Sequence, residues 1–166
     1  MTNVLLDLNV LLDVILDRKP GVRTAARLWA ILEQGAGHGF IPAHGVTTVF
    51  YILEKAQGAV FARRAVEQLL HVFAVAPVTD VVLRRALVLA WPDFEDAVCA
   101  ASAEAAGCDA IVSRDPAGFP DPPLPVIDPA TALGLLARPW PPVVQPVRPV
   151  ERLAPRSAPS PRRNRR

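Results

Sequence analysis

Along residues 1–137, short apolar runs alternate with longer stretches of helical spacing. Val4-Leu5-Leu6 predicts a first strand ending at Asp7, and Val10 to Leu16 predicts a short helix after it. Pro20 and Gly21 break the chain. Arg23 to Gln34 then carries Ala26, Leu28, Trp29, Ile31 and Leu32 at helical spacing, and Gly35, Gly37 and Gly39 end that helix. Phe40-Ile41 predicts a second strand. Val46–Lys55 and Ala59–Leu70 predict two helices parted by Gly58, and Val72 to Val75 a third strand. Thr79-Asp80 caps a helix through Leu89. Asp93 reads as the next N-cap, with Asp96 in capping-box position and Gly107 closing the helix after Ala106. Ala110-Ile111-Val112-Ser113 has the unbroken apolar character of a buried strand, and Val126-Ile127 is a fifth. Asp128-Pro129, a cap plus a proline suited to the first helical turn, opens a last helix to about Ala137. Strands alternating with helices predict an α/β fold: a central parallel sheet covered on both faces, a three-layer α/β/α sandwich.

From Arg138 the pattern stops. Prolines punctuate arginine and serine to the end, so residues 138–166 are expected to be a disordered basic Pro/Arg-rich tail without a core of its own. This division changes the reading of charge. The formal net charge of +2 hides eight arginines against one acid, Glu151, in the tail. The tail therefore carries +7 and residues 1–137 carry −5. An acidic domain does not bind nucleic acid by charge alone. No apolar run approaches a membrane span, and Met1-Thr2-Asn3 lacks the basic start of a signal peptide, so a cytoplasmic, membrane-free protein is expected. Cys99 and Cys108 fit no zinc spacing and read as reduced, buried small hydrophobes.

Open α/β sheets bind ligands beyond the carboxyl ends of their strands. Asp7 ends the first strand, with Asn9 just after it. Ser113, Arg114 and Asp115 follow the fourth strand, and Asp93 and Asp96 open the helix leading into it. Gathered carboxylates raise one another's pKa and are tolerated where a hard cation compensates. Mg²⁺ or Mn²⁺ suits such oxygen ligands and keeps waters that can attack phosphorus, which is the chemistry of a metal-dependent nuclease. Singly, each acid has a plainer role: a turn former after a strand, an N-cap at Asp93, a partner of the helix dipole at Asp96, a cap at Asp128. The functional reading rests on their joint placement.

Three segments carry a family resemblance. Leu5-Leu6-Asp7-Leu8-Asn9-Val10-Leu11-Leu12-Asp13 resembles the opening of PIN domains. Trp91-Pro92-Asp93-Phe94-Glu95-Asp96-Ala97-Val98 resembles the Asp-Phe-Glu-Asp-Ala motif of one PIN subgroup. Ile111-Val112-Ser113-Arg114-Asp115 followed by Phe119 resembles the family's Thr-Arg-Asp/Asn segment, and Pro125-Val126-Ile127-Asp128-Pro129 the usual end of the domain. The resemblance covers roughly residues 3–137. It implies a sheet between helices and Mg²⁺-dependent cleavage of RNA, often as the toxin of a VapBC-type toxin–antitoxin pair. It also implies an antitoxin protein as partner and pairing into homodimers. Asp7, Asp96 and Asp115 would be the catalytic, metal-binding acids, with Asn9, Thr48 and Asp93 supporting them.

Two positions depart from the family's pattern. Thr48 stands where an acid, or Asp or Asn in this subgroup, is usual. Glu54, about 240° further round the same helix, cannot take its place and reads as a surface residue. Gly118 stands where an aspartate often precedes the phenylalanine. Fewer acids imply weaker metal binding. The alternative expectation is a degenerate, non-catalytic PIN domain that binds RNA or a protein; a third is a phosphohydrolase of small phosphoesters. His38, His44 and His71 are scattered, and a turn or surface role is the expectation for His44. No Ser-His-Asp arrangement and no phosphate loop is visible. The arginines of the tail admit a salt-sensitive RNA contact or a merely solvated extension.

Overall fold

The computed structural model describes residues 1–137, so the expectations for 138–166 lie outside the described residues. The chain forms β1 (Asn3–Leu6), α1 (Leu8–Ile15), α2 (Val22–Glu33), β2 (His38–Pro42), α3 (Ala43–Gln57), α4 (Ala59–Val72) and β3 (Ala74–Ala76). It continues as α5 (Asp80–Leu89), α6 (Phe94–Ala105), β4 (Ala110–Val112), a 3-10 turn at Pro116–Gly118, β5 (Val126–Ile127) and α7 (Pro129–Leu136). The five strands make one sheet in the order β3-β2-β1-β4-β5. Every pairing is parallel, with Leu5 beside Phe40 on one side and Ile111 on the other.

Both faces of the sheet are buried, which is why the strands read as unbroken apolar runs. Successive side chains point to opposite faces. Val4, Leu6, Ala110 and Val112 join one core cluster with residues of α1, α2, α3, α4 and α7. Leu5 and Ile111 join the opposite cluster with Cys99, Ala100 and Ala103 of α6, and α6 packs in turn on Val82 and Ala86 of α5. The result is the expected three-layer sandwich. Leu5, Leu6 and Ile111 are almost fully enclosed, and each such side chain contributes about 1.5–3 kcal/mol by leaving water.

The caps anticipated from sequence form. Thr79 accepts from the Val82 amide at 3.4 Å. Asp93 Oδ1 accepts from the Glu95 and Asp96 amides at 2.8 and 3.3 Å, and Asp128 Oδ1 from Ala130 and Thr131 at 2.8 and 2.9 Å. Gly58, at φ +87°, turns the chain sharply between α3 and α4 in a conformation that side-chain-bearing residues avoid. Several boundaries differ from expectation: α1 begins at Leu8, and Gly39, expected to end the helix before it, lies within β2. β3 begins at Ala74, because α4 runs on through Val72. α3 begins at Ala43, not Val46: Pro42 ends β2 in an extended conformation and serves as the N-cap, so Ala43-His44-Gly45 already make the first turn. Among the described residues no helix is long and apolar enough to cross a membrane. Cys99 and Cys108 are free and buried, as expected.

Candidate active site

β1 has β2 on one side and β4 on the other, so connections leave the sheet in opposite directions between β1 and β4. The crevice beyond the carboxyl ends of these two strands is where a ligand fits such a sheet. Asp7 leaves β1 there, its amide bonded to the Val112 carbonyl at 2.9 Å. The residue as a whole is 7% exposed. Ser113 Oγ donates to Asp7 Oδ2 at 2.9 Å, and Asn9 Nδ2 approaches the same oxygen at 3.5 Å. Burial pushes the Asp7 pKa up, and these hydrogen bonds offset only part of the shift. Ser113 Oγ also accepts from the Asp115 amide at 3.1 Å. One buried hydroxyl thus ties the carboxylate at the end of β1 to the backbone after β4.

Asp96 stands in the first turn of α6. Desolvation, then the charges of Asp93, Asp7, Glu95 and Asp115, push its pKa up to about 6. The carboxylates from β1, α6 and the β4 loop therefore lie within electrostatic reach of one another. A polar cleft of about 230 Å³ is lined by Asp7, Asn9, His44, Asp93, Glu95 and Asp96. Asp115 does not line this cleft. It stands beside Asp96 across Gly118, where a Cβ would lie 3.4 Å from Asp96 Oδ2 and 3.9 Å from Asp115 Oδ2. Among the described residues, no three His, Cys, Asp or Glu side chains already stand together as an ion cage. Cys99 borders the cleft from below. Its thiol is buried and pushed well up in pKa, so it is no nucleophile.

The other expected positions fall as follows. Asp93 lines the cleft while capping α6, so its structural role is present in any case. Thr48 does not reach the cleft lining: its hydroxyl donates to the His44 carbonyl at 3.3 Å, the back-bonding common to threonine within helices. Glu54 is exposed. Sequence reasoning gave no role in the cleft to His44 or Glu95, which both line it. His44, expected in a turn or at the surface, lines the cleft from the first turn of α3, with Nε2 3.9 Å from Glu95 Oε1. Neither shows an individual signal in sequence, because the signal is the fold that brings α3 against α6. Asp13 is the other notable carboxylate. It is 1% exposed, and its Oδ1 accepts from Arg114 Nη1 at 2.8 Å. Gly21 packs so closely that a Cβ there would collide with Asp13 Oδ2. This pair anchors Arg114, the residue between Ser113 and Asp115, to α1.

A larger hollow of about 460 Å³ opens at the amino ends of the strands, beside Met1, Ala110, Ile127 and Leu135. Its lining is mainly apolar, and its one carboxylate, Asp109, is engaged by the Asn3 amide at 2.8 Å. The polar chemistry is concentrated at the opposite end of the sheet.

A model of the PIN domain family matches residues 3–117. Solved structures of the same fold include VapBC2 from Rickettsia felis bound to a promoter DNA fragment, at 13% identity and TM-score 0.62, covering 76% of this chain and 98% of that one. A toxin–antitoxin complex from Klebsiella pneumoniae matches at 21% identity and TM-score 0.59, covering 76% and 97%. VapC20 of Mycobacterium tuberculosis, a Sarcin-Ricin loop cleaving toxin, matches at 19% identity and TM-score 0.54, covering 65% and 86%. No curated protein matches the sequence.

Proposed function

The chain belongs to the PIN domain family, and from that membership we propose that it is a metal-dependent endoribonuclease, the toxin of a toxin–antitoxin pair. The observation that carries the reading is that Asp7 and Asp96 line one cleft at the switch point of the sheet, with Asp115 beside Asp96 across Gly118; burial first, and then the neighbouring carboxylates, hold Asp96 near pKa 6. The donor set fits a hard divalent cation: carboxylate oxygens surround the cleft and no free thiolate is offered. Asp7, Asp96 and Asp115 would hold Mg²⁺ or Mn²⁺, with Asn9 and Asp93 supporting them. When bound, the cation neutralises phosphodiester charge and makes water a better nucleophile.

The chain's own residues supply positioning. Ser113 fixes the Asp7 carboxylate and the Asp115 backbone together. Asp93 sets the first turn of α6 and thereby the direction of Asp96. The Asp13–Arg114 pair holds the β4 loop against α1. The substrate is single-stranded or structured RNA, whose repulsion by a domain of charge −5 is relieved at the cation and, in this reading, by the arginines of residues 138–166. An antitoxin protein is the proposed partner, the cytoplasm the proposed compartment, and a homodimer the proposed assembly; the toxin–antitoxin complex from Klebsiella pneumoniae that shares the fold supports the first.

A second reading, a PIN domain that binds RNA or protein without cutting, is favoured by Thr48, whose hydroxyl is engaged by its own helix backbone. Thermal unfolding separates the two. Saturating Mn²⁺ or Mg²⁺ is expected to raise Tm in the parent, since binding at a hundred times Kd stabilises by about 2.7 kcal/mol. The shift should shrink in Asp7→Asn. A Tm indifferent to both cations would favour the binding module.

A further inference from the structure

His44 is the one imidazole bordering the acidic cleft, and the catalytic scheme above leaves it without a task. It sits in the first turn of α3, just past the carboxyl end of β2. Its side chain is 25% exposed. The two ring nitrogens differ sharply. Nδ1 is buried and has no hydrogen-bond partner among the described residues. Nε2 faces Glu95 at 3.9 Å, too far for a hydrogen bond. A neutral imidazole carries one proton. The Glu95 carboxylate, itself half exposed, and Asp7 both attract that proton toward the cleft side of the ring. A proton on Nε2 faces that charge, whereas one on Nδ1 would be buried without an acceptor among the described residues, so the surroundings favour the Nε2–H tautomer. Burial lowers the His44 pKa, opposed by Glu95 and Asp7.

The surroundings give that donor its meaning. Asp7, Asp93, Glu95 and Asp96 offer only acceptors once ionised. Asn9 turns its amide toward Asp7. Among the described side chains lining the cleft, the donors without a partner are the Nε2–H of His44 and the second Nδ2–H of Asn9, whose first is turned to Asp7. A phosphodiester has acceptor oxygens, and His44 and Asn9 are the side chains among these acids that can donate to them. α3 also starts without a capping side chain, so the positive end of its dipole lies at the same place.

We propose that His44 is a substrate-contacting residue, donating its Nε2–H to an oxygen of the phosphodiester bound across the carboxylates. The proposal rests on the nuclease reading of this cleft.

The test uses the full chain with Mn²⁺ and a fluorescein-labelled mixed-sequence single-stranded RNA. Kd is read by anisotropy, and kcat and KM from cleavage, for the parent, His44→Ala, His44→Gln and His44→Asn. The amide nitrogen of Gln falls near the position of Nε2; that of Asn falls near Nδ1. His44→Ala is expected to raise Kd and KM about tenfold, as for a lost hydrogen bond to a charged group, with kcat changed less. His44→Gln should recover most of the loss and His44→Asn little. Unchanged Kd and KM in a folded His44→Ala, or equal behaviour of Gln and Asn, would overturn the proposal. If His44→Ala does not fold, the Gln–Asn contrast alone decides. If the parent binds RNA without cleaving it, the nuclease reading fails while the Kd series still judges His44. If the parent neither binds nor cleaves, both fail.

Discussion

Removing the Arg114 guanidinium leaves the Asp13 carboxylate alone in the interior. Asp13 is 2% exposed at its side chain, whereas that of Arg114 is 45% exposed, and the two meet at 2.8 Å. Breaking a fully buried ion pair from one side costs about 3–5 kcal/mol. Here water already reaches the arginine side, so the cost of Arg114→Ala is about 2 kcal/mol, comparable to a lost charge-assisted hydrogen bond. For a domain of this size that corresponds to a Tm lower by about 6 °C. The reverse change, Asp13→Asn, strands only a half-exposed arginine that water can solvate, and should cost about 1 kcal/mol. The double variant should be no less stable than Arg114→Ala, since the lone buried charge is gone, and the resulting coupling should be measurable in a double-mutant cycle. The assay is thermal unfolding of all four proteins in chelator, followed by RNA cleavage with Mn²⁺. Cleavage should fall in Arg114→Ala, because Arg114 lies between Ser113 and Asp115. An Arg114→Ala protein melting within a degree of the parent, or strictly additive losses in the double variant, would refute the reasoning.

Asp7 and Asp96 have folded-state pKa values above the ordinary 3.8, Asp96 at about 6. The folded protein then holds protons that the unfolded chain has released. These groups make stability fall as pH rises from about 4 to about 6, by about 1 kcal/mol at Asp96 once solvent screening is allowed for. In chelator, Asp96→Asn should flatten this part of the Tm–pH curve and melt above the parent at pH 7.5; a variant melting below it contradicts the electrostatic account. Gly118→Asp adds a carboxylate beside Asp96 and Asp115 at a point where a Cβ meets only ordinary contacts. It should lower Tm in chelator and increase the Mn²⁺-induced rise, and an unchanged Mn²⁺ response would count against the placement of the cation.

Much of this arrangement was legible because its determinants are local. Asp7 follows an apolar triplet, Asp93 and Asp128 stand in capping positions, and the all-apolar strands announce a sheet buried on both sides. What was not legible depends on packing between distant segments. Val72 stays in α4 because a helix end is set by what its last turn packs against, not by the β-branched character of one residue. His44 and Glu95 meet only because α3 and α6 are brought together at one end of the sheet. Asp13 was visible as part of a motif, but its partner Arg114 lies across the fold on the loop after β4, and Gly21, which encloses it, reads in sequence as a simple helix breaker. Thr48 shows the converse: its position in the motif pointed to the site, while its hydroxyl is satisfied by the carbonyl one turn earlier.

The central claim is that Asp7 and its neighbouring acids cut RNA through a divalent cation. The most direct measurement is incubation of the full chain with mixed-sequence single-stranded RNA in Mn²⁺, in Mg²⁺ and in chelator, beside folded Asp7→Asn. Cleavage is expected from the parent with either cation, and none in chelator or from the variant. Full cleavage by folded Asp7→Asn, or cleavage undiminished by chelator, would contradict it.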